Sequence, residues 1–505
     1  MTLASWVEKW ALVCPDKTAI RYEDEVISYG DFHQKIRDTA AMLHDGLGVR
    51  RGDRVAFLGQ NHPRIFYLLF ACARIGAIFV PLNWRLTPNE HRHMLSDSGA
   101  RVFFVEEAYQ AQCEPLIEKL PDCRFITIGG AEKPGWTGLR TVLRKSQGHD
   151  PLPRIDLKDP VLIIFTSGTT GFPKGAVLTQ GALEANVLNS IHMHDMGFDD
   201  VILTILPMFH VGGLNIQTTA AFCVGATVLL HQNFDAGETI EAIKRDRPSL
   251  MIMLPAHMKP LQDHGKWPTA DFSCLRCVTT GSCVVPQSMT RYWHERNIPL
   301  IQVYGSSETC PIAIHQTAQN AFDTEGSIGF PAKHCQVRIV DDRDQDCAPG
   351  EAGEILIKGQ NIMAYYWNNE AATKEALKDG WFYTGDIGYR DEKGCYHFVD
   401  RKKDVIISGG ENIYPAELEA VLAGHPDIQE AAVVGRPDDR WGEVAVAFIV
   451  PCNGENPSPE NVMAWLGERL GRYKHPRDVH FIAELPRNEM RKVLKEDLRK
   501  MARAT

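Results

Sequence analysis

Two short stretches of this chain place hydroxyls, glycines and single charges where chemistry on an anion is feasible. The first is Thr166-Ser-Gly-Thr-Thr-Gly-Phe-Pro-Lys-Gly175. An apolar run, Val161 to Phe165, ends abruptly in it, which implies a buried strand opening into a glycine loop. Gly168 and Gly171 let the backbone approach a polyphosphate closely, with N–H groups pointing inward as donors. Ser167, Thr169 and Thr170 add hydroxyl donors, and Lys174 adds a point charge suited to phosphate. The spacing is not that of a Walker loop, which needs Gly-Lys-Ser/Thr opening a helix. The second stretch is Tyr304-Gly-Ser-Ser-Glu308, directly after the expected strand Leu300 to Val303. A carboxylate at the C-terminal end of a strand in an α/β sheet sits where ligands bind. Near a phosphate loop, Glu308 is suited to Mg²⁺, which is held by one or two carboxylates plus substrate phosphates. Taken singly, each stretch has a plainer reading as a polar surface loop.

The elements that must position these residues are legible as alternating strands and helices. Val55-Ala-Phe-Leu, Ile78-Phe-Val-Pro-Leu, Val102-Phe-Phe-Val, Thr227-Val-Leu-Leu, Leu250-Met-Ile-Met-Leu and Ile301-Gln-Val-Tyr are continuous apolar runs separated by helix-length segments. Such runs indicate parallel sheets covered on both faces. Arg74-Ile-Gly-Ala-Ile-Phe-Val-Pro and Cys223-Val-Gly-Ala-Thr-Val-Leu-Leu echo one another as helix end, glycine, strand, with Gly76 and Gly225 as helix caps. From about 327 to 399 the strands alternate and turn signals such as Ala348-Pro-Gly-Glu separate them, which reads as an antiparallel or barrel-like part. The charged run Asp400-Arg-Lys-Lys-Asp404 then reads as a boundary or hinge, and the remainder as a small α+β domain.

Composition narrows the function classes. A chain of 505 residues exceeds one hydrophobic core, so at least two domains are expected. The net charge of −10 argues against a general nucleic-acid binder. The apolar stretch from Ile65 to Leu82 carries Arg74 and Gly76, so a buried helix running into a strand is expected rather than a membrane span. No secretory signal is read at the start. The 13 cysteines are an odd number and scattered, which suits a reducing, cytoplasmic setting. Cys274 and Cys277 form one C-x-x-C without the second pair a structural zinc would want, so no zinc is expected.

The two stretches, with Tyr383-Thr-Gly-Asp386, Ser408-Gly-Gly-Glu-Asn-Ile-Tyr-Pro and the terminal Leu485-Pro-Arg-Asn-Glu-Met-Arg-Lys-Val, stand in the order of the adenylate-forming superfamily. The chain resembles the acyl-CoA synthetases of that superfamily over essentially its full length. The resemblance implies an α/β fold: a large N-terminal domain of two packed α/β sheets plus a β-barrel-like part, then a small mobile α+β domain. Residues 1–400 would bind ATP and the acid, residues 401–505 would carry the adenylation lysine and the CoA-facing loop, and the active site would lie at their junction.

The implied chemistry is ATP-dependent acid–CoA ligation. A carboxylate attacks the α-phosphate of MgATP, giving acyl-adenylate and pyrophosphate, and the CoA thiol then displaces AMP. By the same resemblance, Thr166 through Gly171 and Lys174 hold the phosphates, and Gly281, Ser282 and Cys283 line the adenine pocket. Tyr304, Gly305, Ser306 and Ser307 complete the nucleotide site; Ser307 replaces the usual threonine but keeps the hydroxyl. Asp386 and Arg401 reach the ribose. His210 in Leu206-Pro-Met-Phe-His-Val-Gly-Gly-Leu214 stands beside the reacting carboxylate in a positioning role, and Val211, Gly212 and Gly213 form the acyl-pocket wall. Removing side chains there favours a medium- or long-chain or bulky acid, with an aryl acid as the alternative. Ser408, Gly409, Gly410, Trp441 and Tyr473 face CoA. Lys492 is the adenylation lysine, although Arg491 replaces the usual glycine before it; Arg487 and Lys495 are the lesser alternatives. The partners expected are the acid, ATP and CoA, with a homodimer left open. An enzyme loading a separate carrier protein, a luciferase-like oxygenase and a non-catalytic nucleotide binder are the rival readings.

Overall fold

A computed structural model describes residues 2–145, 153–166, 173–282, 285–409, 411–438, 440–452, 457–488 and 492–504. Two compact units emerge. One contains residues 1–337 and 357–382, the other residues 338–356 and 383–505.

The first unit is built on two sheets. The nine-stranded sheet runs, in spatial order, Phe330–Pro331, Ile314–His315, Leu300–Tyr304, Cys277–Gly281, Leu250–Ile252, Val201–Thr204, Thr227–Leu230, Thr18–Tyr22, Glu25–Ser28. From Leu300–Tyr304 to Thr18–Tyr22 neighbouring strands pair in parallel. The eight-stranded sheet runs Tyr365–Tyr366, Lys174–Thr179, Pro160–Thr166, Ile78–Leu82, Arg54–Leu58, Ala100–Glu106, Arg124–Ile128, Trp136–Gly138. The apolar runs therefore fold as covered strands. Ile78–Leu82 is buried at all five positions because helices occupy both faces. Gly76 and Gly225 cap their helices at φ +74 and +80, conformations open to glycine at little cost. The helix Arg64–Ile75 runs into the strand Ile78–Leu82, and no helix among the described residues is long and apolar enough to cross a membrane.

The two sheets share one core. Phe66 and Phe70, from the helix of the eight-stranded sheet, pack on Phe222 and Phe32, with Phe32–Phe222 centroids at 4.9 Å and Phe66–Phe222 at 5.0 Å. A polar bolt joins the C-terminal edges of the same sheets. Asn61 follows the strand Arg54–Leu58 and is buried. Its Oδ1 accepts from Met208 N at 2.9 Å, and its Nδ2 donates to Leu206 O at 2.9 Å and His231 O at 3.1 Å. Leu206 and Met208 follow one strand of the nine-stranded sheet and His231 follows the next, so one amide fixes the loop that ends at His210.

The five-stranded sheet of Cys335–Val340, Gly353–Gly359, Trp381–Arg390, Leu377–Lys378 and Tyr396–Arg401 contains the division between the units, which falls inside three of its strands. The end of the second unit is a sheet ordered Glu411–Ile413, Ile406–Ser408, Gly442–Pro451, Ile428–Asp438, with Asp478–Phe481 parallel to Gly442–Pro451. The helices Pro415–Leu422 and Pro459–Gly467 bury Leu418, Leu422, Val462 and Leu466 on one face. Leu498 and Ala502 of the C-terminal helix cover the other.

Asn61→Leu keeps volume and removes all three bonds, leaving a buried N–H and two carbonyls unpaired. A loss of about 3 kcal/mol is expected. Thermal unfolding checks it; a midpoint equal to that of the unaltered chain would show that the three bonds contribute nothing net.

Candidate active site

The strands that flank the glycine run pair with each other. Pro160–Thr166 pairs antiparallel with Lys174–Thr179, Thr166 standing opposite Lys174, and the Thr166 hydroxyl donates to Lys174 O at 3.3 Å. Ser167, Gly168, Thr169, Thr170 and Gly171 lie outside the described residues, as do Cys283 and Gly410.

Glu308 belongs to the one-turn segment Ser307–Thr309. Upstream, Gly305 is required by close approach: a Cβ there would meet Pro311 O at 1.8 Å. Downstream, Asn361, fully buried, donates to Thr309 O at 2.7 Å and Ile312 O at 3.0 Å. The carboxylate is buried, and its Oε1 accepts from the Tyr366 hydroxyl at 2.7 Å. Burial and the adjacent Glu308 push the Tyr366 phenol well above its ordinary range, so it stays a donor. Oε2 accepts no hydrogen bond from the described residues. The Lys174 ammonium stands 5.4 Å from the centre of the Tyr366 ring, within cation–π range. Lys174 and Glu308, 134 positions apart, are thus held on either side of one tyrosine that sequence reading passed over.

Further along the edge of the nine-stranded sheet, His210 precedes the short helix Val211–Asn215. Its ring lies 4.5 Å from that of Phe209, and Arg85 covers Phe209 at 5.6 Å and Trp84 at 4.4 Å. Burial, and then Arg85, lower the His210 pKa to about 4, so the ring is neutral at pH 7. That suits a hydrogen-bonding part better than acid–base work. The paired glycines separate here. A Cβ on Gly212 would meet nothing within 4 Å, whereas one on Gly213 would lie 2.4 Å from Pro207 O and 2.6 Å from Leu206 O. Gly212 faces open space. At Gly213 the carbonyls of Leu206 and Pro207 occupy the place of a side chain, so glycine is required there by close backbone packing.

His210 Nε2, Thr280 Oγ1 and Ser306 Oγ are buried and have no hydrogen-bond partner among the described residues. They follow or end the strands Val201–Thr204, Cys277–Gly281 and Leu300–Tyr304, which run parallel in one sheet. Interior polar atoms are almost always paired. Three exceptions along one C-terminal edge are what a ligand rich in donors and acceptors would satisfy. Gly281 ends its strand with no room for a side chain, a Cβ meeting Val303 O at 2.3 Å, and Ser282 follows at φ +66. The donor set fits a nucleotide, and a buried carboxylate with one oxygen uncommitted fits a hard divalent cation.

In the second unit, Asp386 and Arg401 are cross-strand partners with Arg401 Nε 3.9 Å from Asp386 Oδ1. Ser408 stands opposite Gly442, Gly409 N donates to Trp441 O at 2.7 Å, and the half-exposed Trp441 ring leaves no space for a Cβ on Gly409. Tyr473 lies on the separate turn Arg472–Lys474 and is exposed. Lys492 is exposed on a loop where its N–H donates to Asn488 Oδ1 and its carbonyl accepts from Asn488 N, both at 2.9 Å. The two alternatives are engaged by carboxylates, Arg487 with Glu430 at 2.7 Å and Lys495 with Glu419 at 2.8 Å.

The AMP-binding enzyme family matches residues 7–367, and its C-terminal domain family matches residues 417–492. The chain belongs to the AMP-binding enzymes. It is similar to the indoleacetate–CoA ligase of Aromatoleum aromaticum, 47% identical over 503 residues that cover 99% of this chain and 98% of the relative. The feruloyl-CoA synthase of an Amycolatopsis species is 37% identical over 501 residues, covering 99% and 98%. Among solved structures, the o-succinylbenzoate CoA synthetase of Bacillus subtilis with its acyl-adenylate intermediate superposes with a TM-score of 0.87 at 30% identity, covering 98% and 97%. The same enzyme with ATP and magnesium ion gives 0.86 at 30% identity, covering 98% of each chain. This AMP-binding enzyme is an ATP-dependent acid–CoA ligase that works through an acyl-adenylate and uses ATP, Mg²⁺ and CoA.

Burial holds His62, His210 and His315 near pKa 4 and His194 near 3, all below the ordinary 6.5. The unfolded chain takes up these protons first. Stability present above pH 6.5 is therefore lost as the pH falls toward 4, by about 1.4 kcal/mol per pH unit for each histidine fully protonated only when unfolded. The unfolding midpoint should fall from pH 7 to pH 5, and His194→Gln should flatten that slope. A midpoint that is level over this range would contradict the buried neutral state.

Proposed function

We propose that this ligase activates an aryl-substituted carboxylic acid, with ring systems of indoleacetate or hydroxycinnamate size as its substrate class. The observation that carries the reading is the end-to-end 47% identity to an indoleacetate–CoA ligase, supported by the open space at Gly212 beside the Phe209–His210–Arg85 shelf. The sequence favoured a medium- or long-chain or bulky acid, with an aryl acid as the alternative; the relatives move the weight to the aryl alternative.

In this reading the acid lies against His210, whose neutral ring hydrogen-bonds the carboxylate. One carboxylate oxygen attacks the α-phosphorus, the bond to the bridging oxygen breaks, and pyrophosphate leaves. The loop residues Thr166 to Gly171 and Lys174 orient the phosphates, while Gly281, Ser282, Cys283 and Tyr304 to Ser307 hold the nucleoside side, Asp386 and Arg401 the ribose. Glu308 holds Mg²⁺, which when bound spreads the charge of the phosphates. Lys492 adds a cation during adenylation, with Arg487 and Lys495 as the lesser alternatives. The CoA sulfur then attacks the acyl carbon, losing its proton as AMP departs, with Ser408, Gly409, Gly410, Trp441 and Tyr473 receiving the pantetheine and adenine. Residues 401–505 move between the two halves against residues 1–400. The described cysteines are free thiols, which supports a cytoplasmic setting, and a homodimer is the assembly we would test first.

Pyrophosphate release over a panel of arylacetic, cinnamic, benzoic and straight-chain acids, with and without CoA, tests the class. Aryl acids should lead the panel, and a straight-chain acid in first place would overturn it. Gly212→Leu should depress turnover of the preferred aryl acid about tenfold, the effect of overpacking by roughly 1.4 kcal/mol, while ATP KM stays within about twofold. Equal loss for a short acid such as acetate would remove Gly212 from the pocket.

A further inference from the structure

A one-turn segment does not by itself fix a glutamate carboxylate, whose terminal torsion is broad. At Glu308 something else does. Residues 363–367 form a bracket with contacts on two sides. Met363 N donates to Glu308 O at 2.7 Å, and Tyr366 donates its hydroxyl to Glu308 Oε1 at 2.7 Å. On the other side Ala364 N donates to Val177 O at 2.9 Å and Trp367 N to Gly175 O at 2.7 Å, with Tyr366 paired opposite Ala176. The bracket is itself anchored: Tyr366 N donates to Thr373 Oγ1 and the Trp367 indole to Asp97 O, both at 2.9 Å. A single two-residue strand thus ties the strand that begins at Lys174 to the turn that carries Glu308.

We propose that Tyr366 is a positioning residue for the metal–nucleotide site: its hydroxyl occupies Glu308 Oε1 and so presents Oε2 to the divalent cation, while its ring face keeps Lys174 alongside. This rests on Glu308 holding the metal. Tyr366 is not in contact with a reacting atom; it acts through the carboxylate and the ammonium. Phenylalanine in its place keeps the ring, the packing and the cation–π face, and deletes only the bond to Glu308.

The test is direct binding of Mn²⁺, standing in for Mg²⁺, followed by the free-ion resonance signal in the presence of α,β-methylene-ATP and without acid. Tyr366→Phe should raise the Mn²⁺ dissociation constant about tenfold, as expected for a hydrogen bond to a charged group. Affinity for the same nucleotide in excess chelator should change less than about twofold. Glu308→Gln should weaken Mn²⁺ by at least as much, and the double variant should be no weaker than Glu308→Gln alone, because both remove one coupled unit. Wild-type Mn²⁺ affinity in Tyr366→Phe, or an equal loss of metal-free nucleotide, overturns the role of Tyr366 while leaving Glu308 as the metal residue. Wild-type Mn²⁺ affinity in Glu308→Gln overturns the metal reading and this proposal with it. Thermal unfolding of each variant identifies a general loss of structure, which would also count against a specific role.

Discussion

Repulsion between a carboxylate and a triphosphate is the constraint that the rest of this enzyme answers. At 4 Å two unit charges in a protein-like surrounding differ by about 4 kcal/mol between attraction and no interaction, so the placement of each counter-charge decides whether the anions can meet. In the proposed reading Lys174 and a divalent cation on Glu308 would supply those counter-charges, and the structure sets both side chains around Tyr366. Their positions are not local properties. One begins the second of two antiparallel strands that flank the glycine run in sequence, the other stands on a single turn after a parallel strand of a different sheet. The strand of Tyr365 and Tyr366 makes these two sheets meet at the site, and Asn61 does the same for the loop of His210.

This division of labour explains why the sheets are so thoroughly apolar inside and so polar at one edge. Parallel strands covered by helices leave only their ends for chemistry. The unpaired atoms of His210, Thr280 and Ser306 gather at those ends, whereas the aromatic packing of Phe32, Phe66, Phe70 and Phe222 lies between the sheets. Neutrality of the buried histidines belongs to the same logic: a charged imidazole in that interior would cost more than its hydrogen bonds return.

Much of this was legible in the sequence. Unbroken apolar runs such as Val161 to Phe165 and Val102 to Val105 can only be covered strands or buried helix, and their length decides for strand. Gly76 and Gly225 announce helix ends because their places need a positive φ. The loops with Lys174 and Glu308 stand out because hydroxyls, glycines and one charge follow such runs. What stayed hidden depends on contacts between distant positions. Asn61 reads as an ordinary turn residue; only the fold brings Leu206, Met208 and His231 to it. Tyr366 sits in a strand two residues long, too short for any periodicity. Gly212 and Gly213 are indistinguishable as letters, and the carbonyls of Leu206 and Pro207 alone tell them apart.

The central claim, that Glu308 and Lys174 are held as one charge-bearing pair for MgATP, is open to direct inspection. A crystal structure of the enzyme with a non-hydrolysable ATP analogue and Mg²⁺ should show a Glu308 carboxylate oxygen at about 2.0–2.1 Å from the metal. The Tyr366 hydroxyl should remain on the other oxygen, and the Lys174 ammonium should lie on a phosphate. A metal ligated without Glu308, or a Lys174 directed away from the phosphates, would contradict the account.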